Sequence, residues 1–204
     1  MKSASVVGIV AIQYLVLKNT LRYVHAASKI LMGKVRIGAM PNWVKYIALS
    51  GIIVAADKFS KIWAEQVLGN GEVVSITSWF DFSLVYNSGA AFGLLNEAGG
   101  WQTIFFAVIA LLVSGVLVVF IKQLESHERF LGVAYACVLG GAIGNLIDRL
   151  MYGKVVDFVH WFYKDFHWPH FNIADIAICI GAAILIADAL GVLPDRKIQT
   201  ESRH

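Results

Sequence analysis

The sequence predicts a polytopic α-helical membrane protein with four transmembrane helices, on three observations. Of its 204 residues 58% are hydrophobic and only 15% charged, with a mean hydropathy of +0.67; a soluble domain is about 25% charged. The apolar residues fall in long runs, which a soluble core does not need. Lysine and arginine are confined to particular connections, the bias that orients membrane helices, so the net charge of +3 points to a cytoplasmic membrane face and not to nucleic acid.

Taken in order, residues 1–39 hold no Asp or Glu. Their apolar run, 5–17, is only about 13 residues, short for a span. A charged start and "VHA" at 24–26 faintly suggest a signal peptide, but they are poorly spaced from the apolar run. The expectation is a basic, dispensable extension over 1–39, a membrane domain over 40–195 and a polar cytoplasmic tail over 196–204.

Four segments are long enough to cross: 43–66, 102–121, 130–150 and the apolar stretch within 170–193. Each run of about 20 residues at 1.5 Å rise matches a hydrocarbon core of about 30 Å. In lipid every backbone group must be bonded internally, which makes these runs helices. No lysine or arginine lies between Lys61 and Lys122, whereas Lys34, Arg36 and Lys45 precede the first span. Lys122 and Arg129 flank the second connection, and Arg196, Lys197 and Arg203 follow the last span. Both termini and the 122–129 connection are therefore expected in the cytoplasm, with 67–101 and 152–170 outside.

The outer segment "EVVSITSWFDFSLVYNSG" is rich in β-branched and aromatic residues with partial alternation, and reads as short strands. The second, "VVDFVHWFYKDFHWPHF", reads as an aromatic-rich periplasmic loop. Its Trp161, Phe162, Tyr163, Phe166 and Trp168 suit the membrane interface, where a ring has one apolar and one wet side. Cys137 and Cys179 both lie in apolar runs, where packed small residues are expected rather than a disulfide or metal pair.

Ionisable residues inside such segments cost roughly 2.5–3.5 kcal/mol each on insertion scales and call for a role. Asp57 and Lys61 stand one helical turn apart and can form an ion pair, while Lys58 points elsewhere and is expected to snorkel. In "GGAIGNLIDR", Gly140, Gly141, Ala142 and Gly144 permit close helix packing. Asn145 and Asp148 share a face there, and Arg149 can pair with a carboxylate. "VYNSGAAFG" at 85–93 is at least a turn, and its small residues let an extended peptide approach the backbone.

Asn172 and Asp175 of "FNIAD" have capping-box spacing, so by themselves they describe a well-capped helix. Asp157 in "VVDF" has apolar neighbours on both sides and no such explanation. Both aspartates flank the same outer segment. Two carboxylates brought together can share one proton and hold a water, one acting as base and the other as acid. The helix N-terminus favours an ionised Asp175, leaving Asp157 to hold the proton. His160, His167 and His170 with Asp165 lack a defined metal-ligand spacing. Ser60, Ser83 and Ser88 show no matching base in the sequence.

In this order, "DKFSK" (57–61), "YNSGAAFG" (86–93), "GGAIGNLIDR" (140–149), "VVDF" (155–158) and "FNIAD" (171–175) make the chain resemble the lipoprotein signal peptidase family. These signal peptidases II are bacterial aspartic proteases that remove signal peptides from prolipoproteins. The resemblance covers about 41–193 and implies a small extracytoplasmic β-cradle, which the strands over 73–87 would form, and a catalytic pair at Asp157 and Asp175. It also implies supporting roles for Asn87, Gly89, Asn145, Asp148, Arg149 and Asn172, and structural polar positions at Asp57 and Lys61. The implied substrate is a diacylglyceryl-modified prolipoprotein, cut on the amino side of the modified cysteine in the bacterial inner membrane. Water is the nucleophile, and no metal, organic cofactor or obligate protein partner is implied. Lys58, Ser88 and Ile176 depart from residues common in the family, and 1–39 has no counterpart.

Two other readings suit the same polar residues. A small transporter or channel subunit would line a path with Asp57, Lys61, Asp148 and Arg149. A non-catalytic scaffold would pack through "GGAIG" and tolerate Asp157→Asn.

Overall fold

The structure, a computed structural model, describes residues 41–89 and 100–194. The expected extension 1–39, the tail 196–204 and the second half of "YNSGAAFG" lie outside the described residues. Within them run α1 (Asn42–Leu68), β1 (Val74–Thr77), β2 (Phe80–Asn87), α2 (Trp101–Gln123), α3 (Arg129–Tyr152), β3 (Val155–Tyr163), β4 (Phe166–His167) and α4 (Ile173–Ala189).

Local chemistry sets the helix ends. Pro41, with φ −51°, precedes the first turn of α1, where a missing N–H costs nothing. At the far end of α3, Gly153 adopts φ 70° and its N–H bonds back to the Arg149 carbonyl at 3.0 Å. That left-handed cap suits a residue without Cβ and turns the chain directly into β3. Asn172 and Asp175 form the expected capping box at the start of α4.

The central packing element is α3, in contact with each of the other three helices. Its small residues form the seam. A Cβ on Gly140 would lie 2.8 Å from Ile53 Cβ of α1, and one on Gly141 would strike the Ala174 carbonyl of α4. One on Gly144 would lie 2.7 Å from an Asp57 carboxylate oxygen. The close packing expected from "GGAIG" is thus used on two sides at once, toward α1 and toward α4. By contrast, α2 buries only Gln102, Ser114, Leu117 and Ile121, and its Ile104, Leu111 and Leu112 are two-thirds exposed. Such an apolar surface suits lipid, not water. Of the four expected spans, α2 and α3 are long and apolar enough to cross a membrane. α1 carries charges in its second half, and α4 has only 17 residues.

The four strands form an antiparallel sheet in the order β1-β2-β3-β4. The short strands expected over 73–87 are β1 and β2, paired antiparallel. The aromatic segment expected as a loop is instead mostly strand. β3 pairs with β2 from Phe80↔Trp161 to Asn87↔Val155, with an irregularity between Phe82 and Val85. Its β-branched and aromatic residues suit a ladder, and pairing satisfies backbone groups that are buried from Val155 to His160. The sheet rests on the end of α1, where Trp63 meets Phe82 edge-to-face at 5.4 Å and Ala64 and Leu68 pack with Phe158 and Val159.

Candidate active site

β3 and the first turn of α4 each bring one carboxylate to a single cavity of about 560 Å³. Asp157 and Asp175 line it together with Asn87, Gly89, Asn145 and Arg149. Trp161, Trp168 and His170 wall one side, and Ile176, Cys179 and Ile180 continue it along α4.

Asp157 is 2% exposed. Its Oδ1 accepts from Asn172 Nδ2 at 2.7 Å and its Oδ2 from Asn87 Nδ2 at 3.0 Å. Burial, and then the charge of Asp175, push its pKa up from 3.8 to about 7, against the opposing pull of the two asparagine bonds and Lys61. Asp175 accepts from Asn145 Nδ2 at 2.8 Å and from the Asn172 backbone N–H at 3.2 Å. Asn172 therefore touches both carboxylates. Two acids so placed can share one proton and polarise a water between them.

Deeper charges orient this arrangement. Asn145 Oδ1 accepts from Lys61 Nζ at 3.0 Å and from Asn172 Nδ2 at 3.1 Å, which turns its own amide N–H toward Asp175. Lys61, fully buried, stands 2.7 Å from Asp57 Oδ2 in an ionic contact rather than an aligned hydrogen bond, and 2.8 Å from Asp148 Oδ2. Asp57 Oδ1 accepts from the Ala174 N–H at 2.9 Å, and Asp148 Oδ2 from the Val156 N–H at 3.3 Å. One buried cluster thus ties α1 and α3 to the starts of β3 and α4, the two elements that carry the acids.

Two expectations are corrected. Lys58 does not simply snorkel: its Nζ lies 3.2 Å from Asp148 Oδ1 and 3.3 Å from Tyr152 Oη. Asp148 therefore faces two lysines, and these charges neutralise one another inside packed helices rather than lining a path. Arg149 donates to the carbonyls of Asn145 (3.3 Å) and Gly89 (3.4 Å) and lies over the Phe106 ring, in place of a carboxylate pair. It holds the turn after β2 against α3. Gly89 also donates its N–H to Asn87 Oδ1 at 3.0 Å.

The structure also changes the reading of the histidines. His160, His167 and His170 come together, but with Asp81 and Ser83 rather than Asp165. Asp81 sits opposite His160 in the β2–β3 register. Ser83, for which the sequence offered no base, has His170 Nε2 at 2.8 Å, yet it donates its hydroxyl proton to Asp81 Oδ1 at 3.0 Å. Only the alternation of Asp81 and Ser83 along one strand face hinted at this. Of the cysteines, Cys137 is buried as expected, whereas Cys179 is exposed along the cavity.

Comparison with known proteins places this geometry in context. The family described as signal peptidase (SPase) II matches residues 49–191. A lipoprotein signal peptidase of Pseudoalteromonas translucida (strain TAC 125) is 44% identical over 151 residues, which cover 74% of this chain and 91% of that protein. One of Cellvibrio japonicus (strain Ueda107) is 44% identical over 154 residues, 76% of this chain and 89% of the relative. A bacterial membrane enzyme solved by the in meso method at 2.3 Å superposes with a TM-score of 0.65 at 29% identity, covering 72% of this chain and 88% of its own.

Proposed function

The chain belongs to the signal peptidase II family of aspartic peptidases, membrane enzymes, and from that premise we propose that it removes the signal peptide from diacylglyceryl-modified prolipoproteins with Asp157 and Asp175 as its catalytic pair. The observation that carries the proposal is Asn172. Its amide donates to Asp157 while its backbone N–H and Oδ1 close a capping box on Asp175, so both acids are held at one cavity.

In this mechanism Asp175, at a helix N-terminus and facing the Asn145 amide, is the ionised base that takes a proton from water. The water oxygen attacks the scissile carbonyl carbon. Asp157, protonated near neutral pH, gives its proton to the carbonyl oxygen. Collapse of the tetrahedral intermediate breaks the C–N bond on the amino side of the modified cysteine and returns a proton to the departing amine. The apolar wall along Ile176 and Ile180 suits a substrate anchored by its own signal helix and lipid, so that anchoring supplies proximity.

All four helices cross the bacterial inner membrane in this proposal, with both termini in the cytoplasm and the cavity at the outer face. Residues 40–195 carry the activity, and deleting 1–39 leaves cleavage intact. The deciding experiment uses purified protein in detergent and a diacylglyceryl-modified prolipoprotein. Wild type cleaves, and Asp157→Asn and Asp175→Asn, folded as judged by circular dichroism, do not. Substantial cleavage by either variant removes that residue from the pair; a folded wild type that leaves the substrate intact refutes the substrate.

A further inference from the structure

Beside the cavity, and outside the acid pair, three imidazoles cluster, with the central ring against a carboxylate. The rings of His160 and His170 lie 4.3 Å apart at 4°, and those of His160 and His167 5.1 Å apart at 7°. His160 Nδ1 is 3.1 Å from Asp81 Oδ1, and His160 Nε2 is 3.0 Å from His167 Nδ1. His170 belongs to the cavity wall with Trp168 and Phe171. That segment is laced to β3, with Trp168 N–H on the Trp161 carbonyl and Phe171 N–H on that of Val159.

Donor bookkeeping assigns the protons. Ser83 gives its only hydroxyl proton to Asp81, so the 2.8 Å contact with His170 requires the ring Nε2–H to donate. Asp81, a carboxylate, accepts from His160 Nδ1–H. His160 Nε2 is then an acceptor, filled by His167 Nδ1–H. One added proton on the exposed His167 leaves every one of these bonds in place.

A second proton on His160 does not, because it sets two N–H groups face to face across 3.0 Å. On His170 a proton leaves the Nε2–H bond to Ser83 in place, but it is opposed by burial, the largest effect, and by His160 and His167, with Asp81 alone favouring it. Among the described residues, the titratable groups facing His160 are Asp81 from β2, His167 from β4 and His170 from the segment before α4. The His170 pKa lies below its ordinary 6.5 in the folded chain. Its contribution to stability is therefore full above that value and lost as pH falls through the folded one.

We propose that Asp81, Ser83 and His160 form a positioning unit that holds the His170 wall of the cavity against substrate and releases it in acid. The unit acts on substrate binding, not on the acid pair, and it rests on the peptidase reading for its kinetic consequence.

Two measurements test it. The first is hydrogen exchange of the full-length wild type in detergent at pH 7.5 and 5.0, corrected for intrinsic rates. Protection across 166–171 falls at least about fivefold at pH 5.0 while α3 is unchanged. Equal protection at both pH values overturns the proposal, and this readout needs neither substrate nor a variant. The second is cleavage kinetics, in which the acid pair governs kcat and the wall governs KM. Wild-type KM rises at least about threefold over the same range, and His160→Phe, flat but unable to take a proton, reduces that rise to what the burial of His170 alone contributes. A KM that is flat in wild type, or that rises as steeply in a folded His160→Phe as in wild type, overturns the positioning role. If exchange reports the acid release but no lipid-modified substrate is cut at any pH, the peptidase reading fails while the acid-released wall stands.

Discussion

Asn172 concentrates the site's chemistry in one side chain. Its amide nitrogen lies within hydrogen-bonding reach of Asn145, Val156 and Asp157, and its carbonyl oxygen caps α4 through the Asp175 N–H. An N-cap alone is worth about 1 kcal/mol, so a purely capping residue would show a small loss of stability and little loss of rate. Asn172→Ala is expected to lower cleavage by roughly a hundredfold, because misplacing a reacting group by about 1 Å costs that much. A variant with reduced melting temperature but near-normal kcat would return Asn172 to capping alone. Asp157 carries a second prediction at this scale. Its folded pKa of about 7 stands above its ordinary 3.8, so folding favours its neutral form. That contribution is full below about pH 3.8 and is lost as pH rises through about 7. The melting temperature of wild type relative to Asp157→Asn should therefore fall between those values and level off above them. A difference that stays constant across the range would show that Asp157 titrates normally.

The decisive contacts among the elements are glycine contacts of α3. "GGAIG" was legible as a close-packing motif, but its targets were not, because sequence spacing does not say which backbone arrives opposite. Gly141 meets the Ala174 carbonyl in the first turn of α4, and Gly144 meets Asp57. Neither neighbour can move cheaply: one is backbone beside Asp175, and the other is locked by Lys61 and the Ala174 N–H. Gly141→Ala or Gly144→Ala is expected to destabilise by about 1–3 kcal/mol, the usual range for overpacking. Gly115→Ala in α2, where a Cβ meets nothing within 4 Å, should be neutral or gain up to about 1 kcal/mol of helix propensity. Thermal unfolding in detergent distinguishes them, and equal effects at 115 and 144 would contradict the seam. The aromatic segment 155–170 offers the opposite lesson. Its β-branched and aromatic residues were visible, but its pairing with β2, nearly seventy residues upstream at Asn87↔Val155, depends on where α2 and α3 carry the chain.

At the scale of the molecule, Asp57, Lys58, Lys61 and Asp148 connect helices and sheet into one unit. Lys61→Met leaves two fully buried carboxylates without their shared cation. Breaking a buried pair from one side typically costs about 3–5 kcal/mol. Lys58, partly exposed and reaching one oxygen of Asp148 and the exposed Tyr152 hydroxyl, should tolerate Gln with a loss of less than about 1 kcal/mol. Denaturant unfolding of the two variants measures the contrast, and comparable losses would mean that the two lysines share the load.

The membrane class, the approximate helix positions, the capping box and the candidate acids were all determined by sequence alone. Each depends on composition, on spacing within one helical turn, or on a resemblance carried by contiguous motifs, and so is local. Tertiary structure decided which groups those residues meet. Lys61 reaches Asn145 across 84 positions, Lys58 reaches Asp148 across 90, and His170 reaches Ser83 across 87. A one-dimensional pattern shows that a buried charge needs a partner, because burial without one is too costly. Which partner arrives is set by helix packing and strand register, and these exist only once the chain has folded.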